Sequence, residues 1–163
     1  MKNIKLGAKK QKYTVDEALE RLRDYCAKQE RSGFQVEKKL FDWGIPAANH
    51  DDVIFELIQE NFLNEERFSQ AYAQSKMRMN QWGRLKIKNG LQQHRISNYN
   101  IDTALQSLND SKYDQNIEDL VAKKGRSLST DLPSYEKRQK IIRFLLQRGF
   151  IMSELQPHLE NLD

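Results

Sequence analysis

The chain holds a single cysteine, Cys26, in 163 residues. One thiol cannot form an intramolecular disulfide, and it leaves no Cys-based zinc site. With three prolines and seven glycines, there is too little turn chemistry for a β-sandwich or barrel. No run of 18 apolar residues occurs, so no membrane span is expected. The first dozen residues carry Lys2, Lys5, Lys9, Lys10 and Lys12 among scattered apolar positions, a pattern without the apolar stretch of a secretory signal. A cytoplasmic, reducing setting suits the lone thiol.

Catalytic patterns are equally scarce. His50, His94 and His158 lie far apart and none has the H-E-x-x-H spacing that puts two imidazoles on one helix face. No glycine-rich loop has the spacing that cradles phosphates. Ser134-Tyr-Glu-Lys137 fits an S-x-x-K pattern, but its companion motifs are missing and its place after Pro133 suits a helix start. The pairs Asp51-Asp52 and Glu65-Glu66 fall in first helical turns, where carboxylates favour the positive end of the helix dipole. No catalytic residue, metal site or cofactor is expected, and the protein reads as a binder rather than an enzyme.

Charged residues make up 31% of the chain, which favours long helices with solvated faces. Thr14-Val-Asp-Glu17 and Ser32-Gly-Phe-Gln35 are capping boxes, in which hydroxyl and carboxylate or amide each satisfy an orphaned backbone amide. From the first, Val15, Ala18, Leu19, Leu22, Tyr25 and Cys26 recur at three-and-four spacing, so Cys26 belongs to the core. The second opens a short helix through Val36 and Leu40 that stops at Gly44. Further helices are expected over about 51–60, 64–81, 84–94, 100–108, 114–124, 134–148 and 153–161, with weak points at 109–112 and 125–133. The expected class is all-α.

Short helices need neighbours to bury their apolar faces. The spacing of Val36, Leu40, Gly44 and Ile45 returns in Ile87, Leu91, Arg95 and Ile96, and again in Ile141, Leu145, Gly149 and Phe150. Apolar pairs follow each copy: Val53 and Leu57, Ile101 and Leu105, Leu155 and Leu159. The expected organisation is a basic arm over 1–13, flexible or acting as a tether, then three-helix repeats over 14–62, 63–110 and 111–163.

The most informative absence is local. Between Glu66 and Asp102 there is no acidic residue, while Arg67, Lys76, Arg78, Arg84, Lys86, Lys88 and Arg95 all fall there. The net charge of +4 therefore conceals a polarised molecule. A solvated helix face would normally mix signs, so the block reads as an anion-facing surface, toward either phosphate or an acidic protein. Arg67, Lys76, Arg78, Arg84, Lys86 and Lys88 are its candidate binding residues. Trp82, at a helix junction inside the block, reads first as a core cap and second as an anchor for a base or a protein interface.

Several segments in order resemble the RecX regulatory family: Ala18-Leu19, Val36 to Leu40 ending at Gly44, Phe62-Leu63-Asn64-Glu65-Glu66-Arg67-Phe68, Trp82-Gly83-Arg84 with Ile87 to Leu91, and Phe144 to Phe150 with its Arg148-Gly149-Phe150 ending. The resemblance covers about 14–160. It implies a crescent of tandem three-helix repeats, without catalytic residues, that binds RecA nucleoprotein filaments and restrains recombination and repair by the recombinase. Direct contact with DNA stays open as an alternative, and a monomer is expected. A hydrolase whose site escapes motif reading is the rival from another class. Arg95 departs from the family pattern by standing where glycine is usual, and a non-glycine residue in the left-handed conformation bears about 1 kcal/mol of strain. The loop after Gly125 departs too, being long and polar.

Overall fold

The structure is a computed structural model that describes residues 9–160. Lys2 and Lys5 of the basic arm, and the end of the last expected helix at 161, lie outside the described residues. Within them the fold is all-α, without strands. The helices are α1 (Val15–Lys28), α2 (Gly33–Asp42), α3 (His50–Gln59), α4 (Glu65–Asn80), α5 (Arg84–Gln93), α6 (Asn98–Gln106), α7 (Asp110–Arg126), α8 (Ser134–Gln147) and α9 (Met152–Leu159), with a short 3-10 turn at Ala47–Asn49.

Both capping boxes form. The Glu17 amide donates to Thr14 Oγ1 at 3.2 Å while the Thr14 amide donates to Glu17 Oε2 at 2.8 Å. Ser32 and Gln35 repeat the exchange at 3.2 and 3.0 Å. The expected weak point at 109–112 is instead a helix start. Asn109 Oδ1 accepts the Lys112 amide at 2.8 Å, so α7 begins at Asp110. The physical reason is a cap in which asparagine needs no downstream carboxylate. At the other end Gly125 and Arg126 continue α7, and the connection shortens to residues 127–133.

The described residues form two compact units, one running through Phe68 and including His94–Ile96, the other comprising Ser69–Gln93 and Ser97 onward. In the first, α1 and α2 pack on α3 around Leu22, Leu40 and Leu57, all fully buried. Each such side chain contributes roughly 1.5–3 kcal/mol by leaving water. Residues 9–13 of the basic arm are held here: the Lys12 amide donates to the Trp43 carbonyl at 2.8 Å, Lys9 pairs with Asp42 at 2.6 Å, and Tyr13 meets Trp43 edge to face. In the second unit α5 packs on α6, and α7, α8 and α9 pack on one another.

The three template copies share one conformation at their third position. Gly44, Arg95 and Gly149 have φ of 70°, 58° and 90°, the left-handed form that ends a helix. At the first and third, Ile45 donates to the Leu40 carbonyl at 3.0 Å and Phe150 to the Leu145 carbonyl at 3.3 Å, closing a Schellman turn over a buried apolar pair. Arg95 thus adopts the left-handed cap despite its side chain. One expected apolar position differs: Leu105 is half-buried, and Ala104 and Leu108 fill the core beside Ile101.

Cys26 is buried, as its place on the α1 stripe requires, and burial pushes its thiol up to about 11. The nucleophilic thiolate is thereby suppressed at neutral pH. A disulfide-exchange reagent should label native protein slowly at pH 8 and urea-unfolded protein at the rate of a free thiol; rapid native labelling would contradict the assigned core.

Candidate partner-binding surface

The turn between α4 and α5 is built by contacts with the end of α8, inside the second unit. Gln81 takes φ 51°, ending α4 so that the Trp82 amide reaches back to the Lys76 carbonyl at 3.2 Å. The next amide, Gly83, donates to the Arg148 carbonyl at 2.8 Å, and Leu85 donates to the Gly149 carbonyl at 3.1 Å. The two backbones lie so close that a Cβ on Gly83 would overlap the carbonyl of Gly149 and the amide of Phe150, while one on Gly149 would overlap Lys86. Arg148 Nη1 returns the connection by donating to the Asn80 carbonyl at 2.8 Å. From α7, fully buried Asn116 donates to the Met77 carbonyl at 2.9 Å, satisfying a carbonyl near the end of α4 that would otherwise be orphaned.

A buried tyrosine holds the start of α5. Tyr113 Oη accepts the Arg84 amide at 2.9 Å and donates to Glu154 Oε2 at 3.1 Å. Burial, and after it the Glu154 carboxylate against the opposing Arg84 amide, holds this phenol far above its ordinary pKa, so it keeps its proton and both bonds. Arg84 lies with its guanidinium carbon 3.9 Å from the Tyr113 ring centroid, pairing with Asp110 at 2.6 Å and Glu154 at 3.3 Å. Burial alone would lower the Arg84 pKa; the Tyr113 oxygen and the two carboxylates outweigh it. Arg84 therefore joins α5 to α7 and α9.

The cationic block divides by partner. Three of its arginines are neutralised by acidic residues from outside it. Arg84 is one. Arg67, in the first unit, pairs with Glu30 at 2.9 Å and donates to Asn61 Oδ1 and the Asn61 carbonyl at 2.6 and 2.9 Å. Arg95 pairs with Glu37 at 2.7 Å. Lys76, Arg78, Lys86 and Lys88 have no ion-pair partner among the described residues. All four lie on α4 and α5 of the second unit, and between those helices stands Trp82. Its indole centroid is 4.8 Å from Lys76 Nζ and 4.7 Å from Lys86 Nζ. The ring is half-buried at the turn, and both ammonium groups stand over it. Exposed cation–π pairs of this kind contribute about 0.5–1 kcal/mol each. Met79 and Leu85, 82% and 47% exposed, add apolar area on the same two helices.

Of the six cations proposed from sequence, the structure thus brings Lys76 and Lys86 together at Trp82, leaves Arg78 exposed and Lys88 half-buried on the same helices, and commits Arg67 and Arg84 to internal clamps. Sequence reading missed Glu30, Asp110 and Glu154 as the neutralising partners, because each lies outside the acid-free block. It also missed Tyr113 and Asn116; only the depth of these polar residues on the α7 apolar stripe signals them. Among the described residues no group of histidine, cysteine and carboxylate side chains can hold a metal, and no helix is long and apolar enough to cross a membrane.

The backbone contact at the α4–α5 turn has a direct test. Gly83→Ala should destabilise the fold by about 3 kcal/mol or more, because a methyl there meets main chain that cannot rotate away. Gly33→Ala, at a helix start with open space around it, should change stability by less than about 1 kcal/mol. Urea denaturation of both variants checks the contrast.

Two family models match the chain: the RecX second three-helix domain at residues 64–105 and the RecX third three-helix domain at residues 112–154. Among curated proteins, it is 28% identical over 141 residues to regulatory protein RecX of Neisseria meningitidis serogroup C, covering 86% of this chain and 88% of the relative. It is 26% identical to regulatory protein RecX of Lactococcus lactis subsp. cremoris SK11, covering 85% of this chain but 52% of that protein; the chain spans about half the length of such relatives. Among solved structures, RecX from Lactobacillus salivarius superposes with a TM-score of 0.80 at 23% identity, over 91% of this chain and 96% of that one. A second RecX crystal structure gives 0.79 at 22%, over 87% and 70%.

Proposed function

The chain belongs to the RecX family of regulatory proteins, and from that premise we propose that it binds RecA nucleoprotein filaments and restrains recombinase activity through contacts alone. The observation that carries this reading is the set of Lys76, Arg78, Lys86 and Lys88, four cations of α4 and α5 without an ion-pair partner among the described residues, two of which, Lys76 and Lys86, stand over Trp82. Charges neutralised within the fold add little to association, whereas unneutralised ones steer an anionic partner toward the surface and raise its on-rate. Trp82 supplies a large, rigid aromatic at the centre of that charge, the residue type most enriched at energetic hot spots. The exposed Met79 and Leu85 favour a protein surface over bare phosphate, since apolar side chains gain little against a sugar–phosphate backbone.

On this reading the three template copies are the three repeats drawn from sequence, over 14–62, 63–110 and 111–163, and the middle one carries recognition. Arg84 supports the surface by fixing the start of α5. The protein acts in the cytoplasm as a monomer, with no metal or cofactor.

DNA-dependent ATP hydrolysis by RecA, followed while this protein is titrated in, tests the proposal. Wild type should suppress turnover below one molecule per RecA, and the variant Arg78→Glu, Lys86→Glu, Lys88→Glu should lose at least about tenfold in potency, as expected for several steering contacts. Arg84 is left intact in that variant, because reversing it would set a carboxylate against Asp110 and Glu154. No suppression by saturating wild-type protein would refute filament regulation. Binding to naked oligonucleotide with a steep salt dependence, without any effect on RecA, would establish direct nucleic-acid binding in its place.

A further inference from the structure

The first unit carries a cleft between α2, the 3-10 turn and Arg95. It is lined by Phe34, Glu37 and Phe41 of α2, Ala47 of the 3-10 turn and His50. Lys38 and Arg95 stand on its rim, and its volume is about 310 Å³. His50 is fixed from behind by the Ile45 carbonyl, 2.9 Å from Nε2, so that wall is rigid. Phe41 is 58% exposed, a large apolar surface for a side chain with no core to fill. Ligand pockets run from about 300 to 1,000 Å³. At its size the cleft admits one large side chain.

The first and third copies of the helix-ending turn use glycine, at Gly44 and Gly149; the middle copy places Arg95 in the same left-handed backbone at φ 58°. Non-glycine residues hold that conformation at a cost, and such costs concentrate at functional positions. The side chain so placed goes to the cleft: the Arg95 guanidinium lies 4.6 Å from the Phe34 centroid and pairs with Glu37 at 2.7 Å. That pair is exposed, with Arg95 at 66% and Glu37 at 45%, and exposed pairs contribute little to stability. The stack on Phe34 and the pair with Glu37 together return an amount comparable with the strain, and both contacts lie at the cleft.

We propose that this cleft of the first unit, walled by Phe34, Phe41 and His50 and rimmed by Lys38 and Arg95, receives an aromatic side chain flanked by carboxylates from a partner protein. The aromatic fits the volume and stacks on two phenylalanine walls, where edge-to-face and offset pairs add to simple burial. Lys38 has no ion-pair partner among the described residues, and Arg95 can share its planar fork between Glu37 and an incoming carboxylate. The net rim charge of these three groups is positive, which selects an acidic flank and disfavours a basic one. The site is separate from Trp82 and its lysines in residues and in chemistry, and its existence does not depend on the partner being RecA.

Amide-resolved NMR of the full chain tests it with three probes: the capped peptides Asp-Phe-Glu and Asp-Ala-Glu, and a short thymidine oligonucleotide. The phenylalanine peptide should shift resonances of Phe34, Phe41, Ala47 and Arg95 with a Kd on the order of 1 mM, the strength one anchored side chain supports, and the alanine peptide should bind at least about tenfold more weakly. Arg95→Gly should weaken the phenylalanine peptide about fivefold while Tm stays level or rises by up to about 4 °C, because the backbone strain is relieved. Phe41→Ser, at an exposed position, should keep the fold and also lose binding. Equal shifts from both peptides, shifts only at scattered lysines, or none at about ten times that Kd would overturn the proposal. A lower Tm in Arg95→Gly with peptide affinity unchanged would also overturn it, by making Arg95 a structural residue. Oligonucleotide shifts at these four residues in place of peptide shifts would reassign the cleft to nucleic acid.

Discussion

The second unit depends on one close approach of main chain to main chain, where Gly83 and Gly149 meet with no side chain between them. The amides of Gly83 and Leu85 then reach the carbonyls of Arg148 and Gly149, so the α4–α5 turn and the end of α8 satisfy one another's backbone groups. Helix ends leave four unpaired groups each, and here two ends resolve that deficit together. The rest follows from this fixed corner. Trp82 precedes Gly83 and is directed to the surface of α4 and α5; Arg84 follows it and is delivered to Tyr113, Asp110 and Glu154. A corner with one more methyl would have to open, and the indole, the two ammonium groups beside it and the arginine clamp would separate.

The same region shows how charge is sorted between structure and surface. Arginine and lysine take different roles. Arg67, Arg84 and Arg95 each pair with a carboxylate, and Arg67 and Arg84 make several polar contacts at once, which suits a rigid planar fork. The lysines Lys76, Lys86 and Lys88, with Arg78, keep their charge for the outside. Once the three clamped arginines are set aside, the cations of the acid-free stretch that keep no carboxylate partner among the described residues lie on α4 and α5, with Lys76 and Lys86 over Trp82.

Much of the fold was legible because it is written in local chemistry. Thr14 with Glu17, and Ser32 with Gln35, announce their helix starts within four residues. The apolar template from Val36 to Ile45 and its two echoes end in the same left-handed turn, even where Arg95 replaces glycine. Asn109 shows where this reading stops. Without a capping-box partner it looked like a break, yet the burial of Tyr113 in the next turn draws α7 back to Asp110. Leu105 shows the same limit: spacing alone did not tell it from Ala104, because which residue of a stripe goes deepest depends on the neighbour that covers it.

For the candidate surface the division is sharper. By itself the sequence determined the helical class, the repeated turn, the isolation of Cys26 and the presence of an acid-free cationic stretch, because each is set by residue type and spacing along a single helix. Only the tertiary structure decided which of those cations are neutralised within the fold. Glu30, Glu37, Asp110 and Glu154 lie from 26 to 70 residues away from the arginines they neutralise. Coulombic attraction acts through space at a few ångströms, and the folded chain alone brings these groups that close.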